Sequence, residues 1–347
     1  MPKMLAALYN GIETVEIKQV ERLDPGRGDA LVRVRSEGIC GSDLNQYRKL
    51  TEPETLPAGH ETAGEIVEVG EGVDPARVGQ RVAVEVVGHG KACLTCWYCR
   101  QGQYRNCPEK GDYAGGGFAE YVTRNAVACY PLADAMTWEE GALVEPLAVS
   151  IRGMRRGALT AGDAVVVLGA GNIGLTAIAA ARALGAGTII ATARHAQQAK
   201  LARRLGADVV LDPNDDHATE AVEDLTEGRG ADITVETVGG FGSNATLVQA
   251  VDMTRVMGRI VVLGVFHDPV LTDWMEPLLK EQSFIFSVCY GIMDGRHDFE
   301  MAIDLMGSGK IDLKPMVTHT YPLTEMPQAL ATAYDKSTGS VKVQLRM

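Results

Sequence analysis

Four cysteines lie close together in the first third of the chain: Cys93, Cys96, Cys99 and Cys107. A Cys-x2-Cys turn brings two sulfur atoms within about 4 Å of each other, so four such thiolates can converge on one tetrahedral ion. Zn²⁺ suits this set because it is redox-inert and has no geometric preference from d-electrons. Disulfides are the alternative, but the chain has an odd total of seven cysteines, and the other three are scattered. The spacing therefore predicts a structural zinc site.

A glycine motif later in the chain is typical of dinucleotide binding. The run Gly169-Ala170-Gly171-Asn172-Ile173-Gly174 has the form G-x-G-x-x-G, which by itself is a weak signal. Here it follows an apolar strand pattern and opens an alanine-rich helical pattern, and that context gives it meaning. The first glycine allows a tight turn, the second lets backbone N–H groups approach a pyrophosphate, and the third lets helix and strand pack closely. An ordinary strand–helix turn is the alternative, and we favour the dinucleotide site.

The residues after the second strand of this region indicate which dinucleotide binds. An NAD site normally has Asp or Glu about 20 residues after the last glycine, where the carboxylate accepts hydrogen bonds from ribose hydroxyls. Here the chain reads Thr192-Ala193-Arg194-His195 and has no carboxylate. Ala193 removes the charge that would repel a 2′-phosphate, while Arg194, with His195 or Lys200 nearby, offers cations to bind one. We expect NADP(H) to be preferred over NAD(H); the alternative is that Arg194 only solvates a helix start.

Three further segments carry residue types that ligate zinc in proteins. They are Gly38-Ile39-Cys40-Gly41-Ser42-Asp43, Gly59-His60-Glu61 and Val144-Glu145-Pro146. Their separations are too long for spacing to show that they converge, and a single cysteine or histidine is more often structural than ligating. From the residues alone, a second metal site in these segments stays an open question.

The composition limits the kind of protein that positions these residues. A chain of 347 residues predicts two domains. It is 46% hydrophobic and 22% charged, with no apolar run long enough to span a bilayer. The net charge of −12 argues against a nucleic-acid partner, which needs a positive face. We expect a globular protein of the reducing cytoplasm without membrane or nucleic-acid partners.

The order of the local patterns predicts two different domains. Up to about residue 150, β-type runs such as Ala30–Val34, Ala63–Val69 and Arg81–Val87 alternate with glycine and proline turns, which favours an irregular β-barrel. From strand Ala164–Leu168 and helix Ile173–Leu184 onward, strands and helices alternate, which predicts a parallel, doubly wound α/β sheet. The later predicted strands are Thr188–Thr192, Val209–Leu211, Ile233–Thr237 and Ile260–Val265, and the later predicted helices are Lys200–Leu205, Ala218–Leu225, Asn244–Val251, Phe299–Met306 and Met326–Tyr334.

Together these motifs resemble the zinc-dependent medium-chain dehydrogenase/reductase family, specifically its polyol dehydrogenase branch of sorbitol, butanediol and threonine dehydrogenases. The resemblance spans essentially the whole chain and rests on the runs at 38–43, 59–61, 116–121, 144–149 and 169–174 and on the four cysteines, in the family's order. It implies a GroES-like β-barrel catalytic domain at residues 1–152, with a zinc lobe at about 88–112. A Rossmann domain at 153–294 and a segment at 295–347 that returns to the catalytic domain would complete the fold.

The resemblance also implies which residues hold a catalytic zinc ion. Cys40 and His60 would bind it, with Glu61 as a direct or exchangeable ligand. Glu145 stands where other alcohol dehydrogenases have a second cysteine, and its harder carboxylate would ligate directly or through water. Asp43 resembles the carboxylate that orients the histidine ligand.

The reaction implied by the resemblance is reversible hydride transfer. Zinc would lower the pKa of a bound alcohol so that the alkoxide passes hydride to the nicotinamide, and in reverse it would polarise a carbonyl. Ser42 stands where the family has a hydroxyl that starts a proton relay. Relatives usually have a histidine three residues later, where this chain has Asn45. An amide does not titrate near neutrality, so the relay would have to end elsewhere.

The sequence therefore predicts a zinc-dependent, NADP(H)-preferring alcohol or polyol dehydrogenase with two zinc ions per chain. The substrate would be a small secondary alcohol, diol or sugar-derived alcohol, or its ketone, and the protein would form a homodimer or homotetramer as its relatives do. One alternative is a metal-free quinone or enoyl reductase of the same superfamily. Another is a non-enzymatic NADP(H)-binding protein.

Overall fold

The computed structural model describes residues 2–111, 113, 115–240 and 244–347. Asp112, the last residue of the predicted zinc lobe, lies outside the described residues.

The strands, numbered along the chain, are β1 (Lys3–Tyr9), β2 (Val15–Glu21), β3 (Asp29–Gly38), β4 (Glu61–Val69), β5 (Arg81–Glu85), β6 (Tyr121–Asn125), β7 (Cys129–Pro131), β8 (Val165–Leu168), β9 (Ile189–Thr192), β10 (Val209–Leu211), β11 (Ala231–Glu236), β12 (Thr254–Val262), β13 (Ser283–Phe286), β14 (Ile292–Met293), β15 (Arg296–His297), β16 (Val317–Pro322) and β17 (Lys342–Arg346). The α-helices are α1 (Gly41–Lys49), α2 (Trp97–Arg100), α3 (Trp138–Ala142), α4 (Val144–Arg156), α5 (Asn172–Ala183), α6 (Ala196–Arg204), α7 (Ala218–Leu225), α8 (Ala245–Met253), α9 (Met275–Leu279), α10 (Asp298–Gly307) and α11 (Met326–Tyr334). None of these helices is both long and apolar enough to cross a lipid bilayer.

The described residues divide into two compact units. Unit 1 holds those of Met1–Glu145, Tyr290–Ser308 and Leu313–Met347, and unit 2 holds those of Pro146–Cys289 and Gly309–Asp312. The sequence placed the two main divisions after residues 152 and 294, whereas the units divide after Glu145 and after Cys289. The first division falls near the start of α4, a helix that the strand patterns did not predict.

Unit 2 is built on a parallel sheet of six strands in the order β10-β9-β8-β11-β12-β13. β8 and β9 are buried along their whole length, because they lie in the middle of the sheet with both faces covered. The strand order, which reverses beside β8, is that of a doubly wound dinucleotide-binding fold. This confirms the predicted α/β class, and the carboxyl end of β8 is where such a fold binds its ligand.

Unit 1 is built on a larger, mostly antiparallel sheet in the order β16-β17-β3-β4-β5-β7, with β6 paired to β3. The inward faces of β3, β4 and β5 supply aliphatic residues to one buried core. The last strand of the chain, β17, pairs antiparallel with β3, so the C-terminal segment completes this sheet. The carboxyl end of β3 and the start of β4 are therefore held side by side, with Gly38 opposite Glu61.

Candidate metal centre and coenzyme site

Cys40 lies at the start of helix α1, directly after β3. Its backbone is extended, with φ −90° and ψ 160°, which marks it as the N-cap residue. Its backbone N–H donates a hydrogen bond of 2.8 Å to Oδ2 of Asp43, which is buried in the first turn. This hydrogen bond fixes the backbone of Cys40 against the first turn of the helix. The chain thus presents the sulfur of Cys40 at a fixed position.

His60 and Glu61 meet Cys40 at the start of β4. One ligand atom from each of these three residues lies within 4.8 Å of the other two. Nδ1 of His60 lies 3.8 Å from Oδ1 of Asp43, so the histidine faces the same carboxylate that binds the Cys40 backbone. Gly59 precedes them with φ +95°, a left-handed conformation that favours glycine. The sheet thus brings together a thiol, an imidazole and a carboxylate from two segments.

Glu145 lies outside that group of three. It occupies the first turn of α4 and is only 7% exposed. The negative charge of Glu145 is close enough to His60 to raise the pKa of that imidazole. Glu145 therefore borders the site but does not belong to the group of three ligand atoms.

Lys342 on β17 is a site residue that the sequence reasoning missed. Its Nζ atom lies 2.7 and 2.6 Å from the two carboxylate oxygens of Glu61, and it also donates to the carbonyl oxygen of Ile39 at 3.2 Å. Lys342 is fully buried, and Glu61 is 1% exposed. The sequence carries only a faint signal for this role, a lysine flanked by the apolar residues Val341 and Val343 in a strand. Glu61 is therefore held by a buried cation in this structure.

Glu37 is a second residue that the sequence reasoning missed, and it hydrogen-bonds the segment that carries His60 and Glu61. This fully buried residue of β3 accepts a 2.9 Å hydrogen bond from the backbone N–H of Glu61 and one of 2.5 Å from the hydroxyl of Thr62. Burial raises the pKa of its carboxyl to about 8. A Cβ atom on Gly117 would collide with this carboxylate, so a glycine leaves the room that the buried acid needs.

The electrostatics of the site favour an added cation. Burial raises the pKa of the Asp43 carboxyl and raises that of Glu145 to about 7. Burial alone would lower the pKa of His60, but the charges of Asp43, Cys40 and Glu145 raise it well above its ordinary value. The site therefore holds several acidic groups in a buried environment that disfavours their charged forms. A divalent ion would compensate for their negative charge, and thiolate, imidazole and carboxylate together suit Zn²⁺.

A polar cavity of about 590 Å³ within unit 1 opens onto His60 and Asp43. Ser42, on the exposed face of α1, lines it together with Gln46 and Glu54. Lys91 and Arg124 line another part of its wall. The cavity places a serine hydroxyl beside the candidate ligand His60, and about half of its other side chains are polar and can hydrogen-bond a ligand rich in hydroxyl groups.

The four clustered cysteines form a second candidate metal site in unit 1. Sγ of Cys96 lies 3.4 Å from that of Cys99 and 3.9 Å from that of Cys107, and the Cys93–Cys99 separation is 3.9 Å. These separations exceed a disulfide bond of about 2.05 Å but match tetrahedral sulfurs about 2.3 Å from one zinc ion. Backbone N–H groups of the loop donate hydrogen bonds to three of the sulfurs, those of Cys93, Cys96 and Cys107. The set fits Zn²⁺ and leaves no position for a substrate.

A third buried cluster joins Glu85, His89 and His297. Nδ1 of His297 accepts the backbone N–H of Phe299 at 3.2 Å, so the ring proton lies on Nε2, 3.6 Å from Oε2 of Glu85. Nδ1 of His89 shares a hydrogen bond of 2.8 Å with the hydroxyl of Tyr130. Since Nε2 of His297 carries a proton, this cluster is a buried polar network and does not offer a complete set of metal ligands.

The glycine motif occupies the turn between β8 and α5 in unit 2. Gly169 has φ +91°, and its backbone N–H donates 2.9 Å to the hydroxyl of Thr192. Gly171 is the N-cap residue of α5, which begins with Asn172 and Ile173. A Cβ atom on Gly174 would collide with the carbonyl oxygen of Gly169, which explains the third glycine. The turn directs helical N–H groups outward, as pyrophosphate binding requires.

A second cavity, of about 360 Å³, lies at this turn within unit 2. It is lined by Gly169, Gly171, Arg194 and His195, and the side chains of the last two are exposed. Ala193 is half-buried, and its backbone N–H donates to the carbonyl oxygen of Leu211 at 3.1 Å. No carboxylate side chain is among the described residues that line this cavity.

Comparison with known proteins assigns the family. The model of an alcohol dehydrogenase GroES-like domain matches residues 26–134, and that of a zinc-binding dehydrogenase matches residues 172–308. Sorbitol dehydrogenase of Arabidopsis thaliana is 32% identical over 356 residues, covering 99% of this chain and 95% of the relative. The predicted GroES-like and Rossmann domains are thereby confirmed.

Solved structures agree with this assignment. A zinc-binding dehydrogenase of Sinorhizobium meliloti 1021 bound to NADP has a TM-score of 0.86 at 28% identity, covering 100% of both chains. An alcohol dehydrogenase of Escherichia coli CFT073 complexed with NADH has a TM-score of 0.87 at 27% identity, also covering 100% of both chains. This chain belongs to the zinc-dependent medium-chain dehydrogenases, in their polyol dehydrogenase branch, and is an oxidoreductase that acts on CH–OH groups.

Proposed function

We propose that the protein is a zinc-dependent, NADP(H)-preferring alcohol or polyol dehydrogenase. The observation that carries this proposal is the convergence of Cys40, His60 and Glu61 beside a polar cavity. A metal-free quinone or enoyl reductase would have no use for this buried, negatively charged ligand set. A protein that only binds coenzyme would equally have no use for it.

Each residue of the centre has a role in the proposed reaction. Cys40 and His60 would hold the ion, and Glu61 and Glu145 would complete its surroundings directly or through water. When bound, zinc supplies a Lewis acid for the substrate oxygen, and the nicotinamide supplies the hydride acceptor or donor. Asp43, 3.8 Å from Nδ1 of His60, would orient that ring, and the exposed hydroxyl of Ser42 would take the substrate proton.

The four-cysteine cluster would hold a second, structural zinc ion, giving two per chain. Its sulfur separations and backbone N–H donors support this proposal. We also infer that copies of the chain associate as a homodimer or homotetramer. Large apolar side chains exposed around the end of the unit 2 sheet support that inference.

Arg194 and His195 would select NADP(H) by binding its 2′-phosphate at the rim of the unit 2 cavity. The phosphate carries close to two negative charges, and one charge-assisted contact to it contributes about 1.5–3 kcal/mol. That corresponds to a preference of about tenfold to hundredfold over NAD(H). The half-buried Ala193 leaves room without adding a repelling charge. Solved relatives include one bound to NADP and one bound to NADH, so the proposal rests on this chain's own residues.

Steady-state assays of the zinc-loaded protein with a panel of polyols and both coenzymes test the proposal. We expect turnover with NADP⁺ at a higher kcat/KM than with NAD⁺, and loss of turnover in Cys40→Ser. Ala193→Asp combined with Arg194→Leu should reverse the coenzyme preference mainly through KM, because the phosphate contributes uniform binding. Arg203→Leu, at an exposed arginine of α6, is the matched control. Absence of turnover on every alcohol and ketone would contradict the dehydrogenase function. A higher kcat/KM with NAD⁺ than with NADP⁺ would contradict the coenzyme preference.

A further inference from the structure

Arg124 on β6 is a fully buried cation that the proposed chemistry does not use. Burial lowers the pKa of its guanidinium to about 10, so the group stays charged at neutral pH. Within the described part of the chain no carboxylate forms an ion pair with it, and its hydrogen-bond partners are backbone carbonyl oxygens. Burying a cation without an acidic partner is costly, so the position of Arg124 calls for an explanation.

The guanidinium of Arg124 joins two segments of the wall of the unit 1 cavity. Its Nε atom donates a hydrogen bond of 3.0 Å to the carbonyl oxygen of Val86, and its Nη2 atom donates one to the carbonyl oxygen of Gly115. Val86 directly follows β5, and both it and Gly115 line the cavity that opens onto His60. Arg124 therefore ties the end of β5 to the turn at Gly115.

The ring of Tyr113 covers the guanidinium and helps to fix it. The guanidinium carbon of Arg124 lies 5.5 Å from the centre of this ring, within the range of a cation–π interaction. The hydroxyl of Tyr113 donates a hydrogen bond of 2.7 Å to Oδ1 of Asp29 on the neighbouring strand β3. Because the ring is itself anchored, the guanidinium and the carbonyl groups that it binds are held in one arrangement.

The turn at Gly115 continues into a segment that is bound to the backbone directly before His60. Three consecutive N–H groups donate hydrogen bonds of 2.6, 3.2 and 2.9 Å to this backbone: Gly116 to the carbonyl oxygen of Pro57, Gly117 to that of Gly59 and Phe118 to that of Ala58. A Cβ atom on Gly116 would lie 2.0 Å from the carbonyl oxygen of Gly59, so the two segments are in close contact. A displacement of Gly115 would therefore be passed on to His60.

We infer that Arg124 is a positioning residue for the candidate metal centre, which keeps the backbone of His60 where the imidazole can bind the ion. Arg124 acts through the turn at Gly115 rather than by contact with the ion. The inference rests on the proposed zinc site at Cys40 and His60. Removing a group that orients a metal ligand typically lowers metal affinity or activity about tenfold to hundredfold.

Arginine suits this role better than lysine does. A guanidinium presents five N–H groups in a planar fork and can bind carbonyl groups of separate segments at once, whereas an ammonium presents three N–H groups from one atom. Arg124→Lys therefore keeps the buried charge but does not reproduce the simultaneous hydrogen bonds to Val86 and Gly115. Arg124→Met removes both the charge and the hydrogen bonds. The two variants separate the effect of the geometry from that of the charge.

The test measures how fast a chelator removes each ion from the zinc-loaded protein. In Arg124→Met we expect the ion at Cys40 and His60 to leave about tenfold to hundredfold faster than in wild type, and in Arg124→Lys by a smaller factor. The ion of the four-cysteine site should leave at the wild-type rate and serves as an internal reference. Arg33→Met, at an exposed arginine of the neighbouring strand β3, is the matched control and should leave both rates unchanged.

Cobalt(II) bound at Cys40 and His60 gives a second readout, because its visible absorption bands depend on the geometry of its ligands. These bands should shift in Arg124→Met and stay at the wild-type positions in Arg33→Met. A role of Arg124 in stability alone would lower the denaturant concentration at which Arg124→Met unfolds without changing the spectrum or the rate of ion loss.

The outcomes separate this inference from the proposed function. A folded Arg124→Met protein with the wild-type rate and spectrum overturns the inference and keeps the function. If Arg124→Met does not fold, Arg124→Lys decides, and the wild-type rate and spectrum in that variant overturn the inference. Faster loss of both ions by the same factor also overturns it. A wild-type protein whose zinc content equals that of Cys40→Ser overturns the proposed metal centre itself.

Discussion

Lys342 and Glu61 form a buried ion pair, so the charge of each side chain is compensated by the other. Removing one partner from a buried ion pair leaves an uncompensated charge, which costs about 3–5 kcal/mol, whereas replacing both can be nearly neutral. We therefore expect Lys342→Met to lower the free energy of unfolding by about that amount. The double variant with Glu61→Gln should recover most of the loss. Denaturant unfolding of all four proteins in one cycle gives the coupling energy.

The control for that cycle is Lys310→Met, at an exposed lysine, which should change the free energy of unfolding by less than about 0.5 kcal/mol. Simple additivity of the two single substitutions at Lys342 and Glu61 would show that the pair contributes no interaction energy. It would also mean that Glu61 is positioned by its neighbours in β4 alone.

At the level of single residues, sequence reasoning found groups that lie within short motifs and missed those joined across the sheet. Cys40, His60 and Glu61 were named because they stand in recognisable runs. Lys342 is 281 residues from Glu61 along the chain, and a lysine in a strand has no fixed spacing to its partner. Glu37 was missed for a similar reason, since only the pairing of β3 with β4 places it behind the ligand segment.

At the level of elements, the loop that holds the four cysteines has little core of its own. Its buried cluster consists of Ala92, Tyr104 and the cysteines Cys99 and Cys107, with few aliphatic side chains. A bound ion would therefore supply much of its folding energy. Cys96→Ser should reduce the zinc content by about one ion per chain and make the loop sensitive to proteolysis. Elemental analysis with limited proteolysis measures both.

Cys289→Ser, at a cysteine outside the cluster, provides the control and should retain both metal ions. Chelator treatment should remove the ion at Cys40 and His60 first, because that site faces a cavity and the four-cysteine site is closed. Recovery of one zinc ion per chain from carefully prepared wild-type protein would contradict the assignment of two sites.

The polar network between β5 and α10 makes the stability of unit 1 depend on pH. The pKa of His89 is lowered from 6.5 to about 4; burial is the main cause, the charge of Glu85 opposes it, and the charge of His297 adds to it. The unfolded chain therefore takes up this proton at a higher pH than the folded one. The stabilisation is complete above about pH 6.5 and is lost as the pH falls toward about 4.

His89→Phe removes this titration while keeping an aromatic ring against Tyr104, on which His89 stacks at 4.0 Å. Between about pH 7 and pH 5, we expect wild type to lose about 2 kcal/mol more unfolding free energy than the variant. Denaturant titrations at several pH values measure the difference. His217→Phe, at an exposed histidine, should not flatten the profile. Parallel pH profiles for wild type and His89→Phe would show that His89 titrates normally in the fold.

Local patterns predicted the elements of unit 2 better than those around the metal centre. Helix α7 of unit 2 has the predicted bounds, as does α11 in the C-terminal segment of unit 1, because each has an apolar face that begins and ends with the helix. Helix α6 begins at Ala196 rather than Lys200, because its first turn is polar and carries no periodic signal. Helices α1 and α4 were not predicted as helices, since their sequences were recognised as ligand-bearing runs instead.

At the level of the whole molecule, one edge of the unit 2 sheet is strongly apolar. Strand β13 is the last in the sheet order, so among the described residues its outer edge has no partner strand. Phe286 on this strand is 66% exposed, and Leu278 and Leu279 on the preceding α9 are 69% and 74% exposed. An unpaired apolar edge invites association, and a two-fold axis would pair it with the same edge of a second copy.

We therefore expect the protein to sediment as a dimer or larger, and Leu279→Glu with Phe286→Glu to sediment as a smaller species. Two buried, unpaired carboxylates per protomer would cost more than such an interface gains. Val127→Glu, at a valine of unit 1 that is 54% exposed, should keep the wild-type mass. Sedimentation velocity measures all three proteins, and coenzyme binding checks that unit 2 of the variant is folded. A monomeric wild type, or a double variant of unchanged mass, would show that this edge is not the interface.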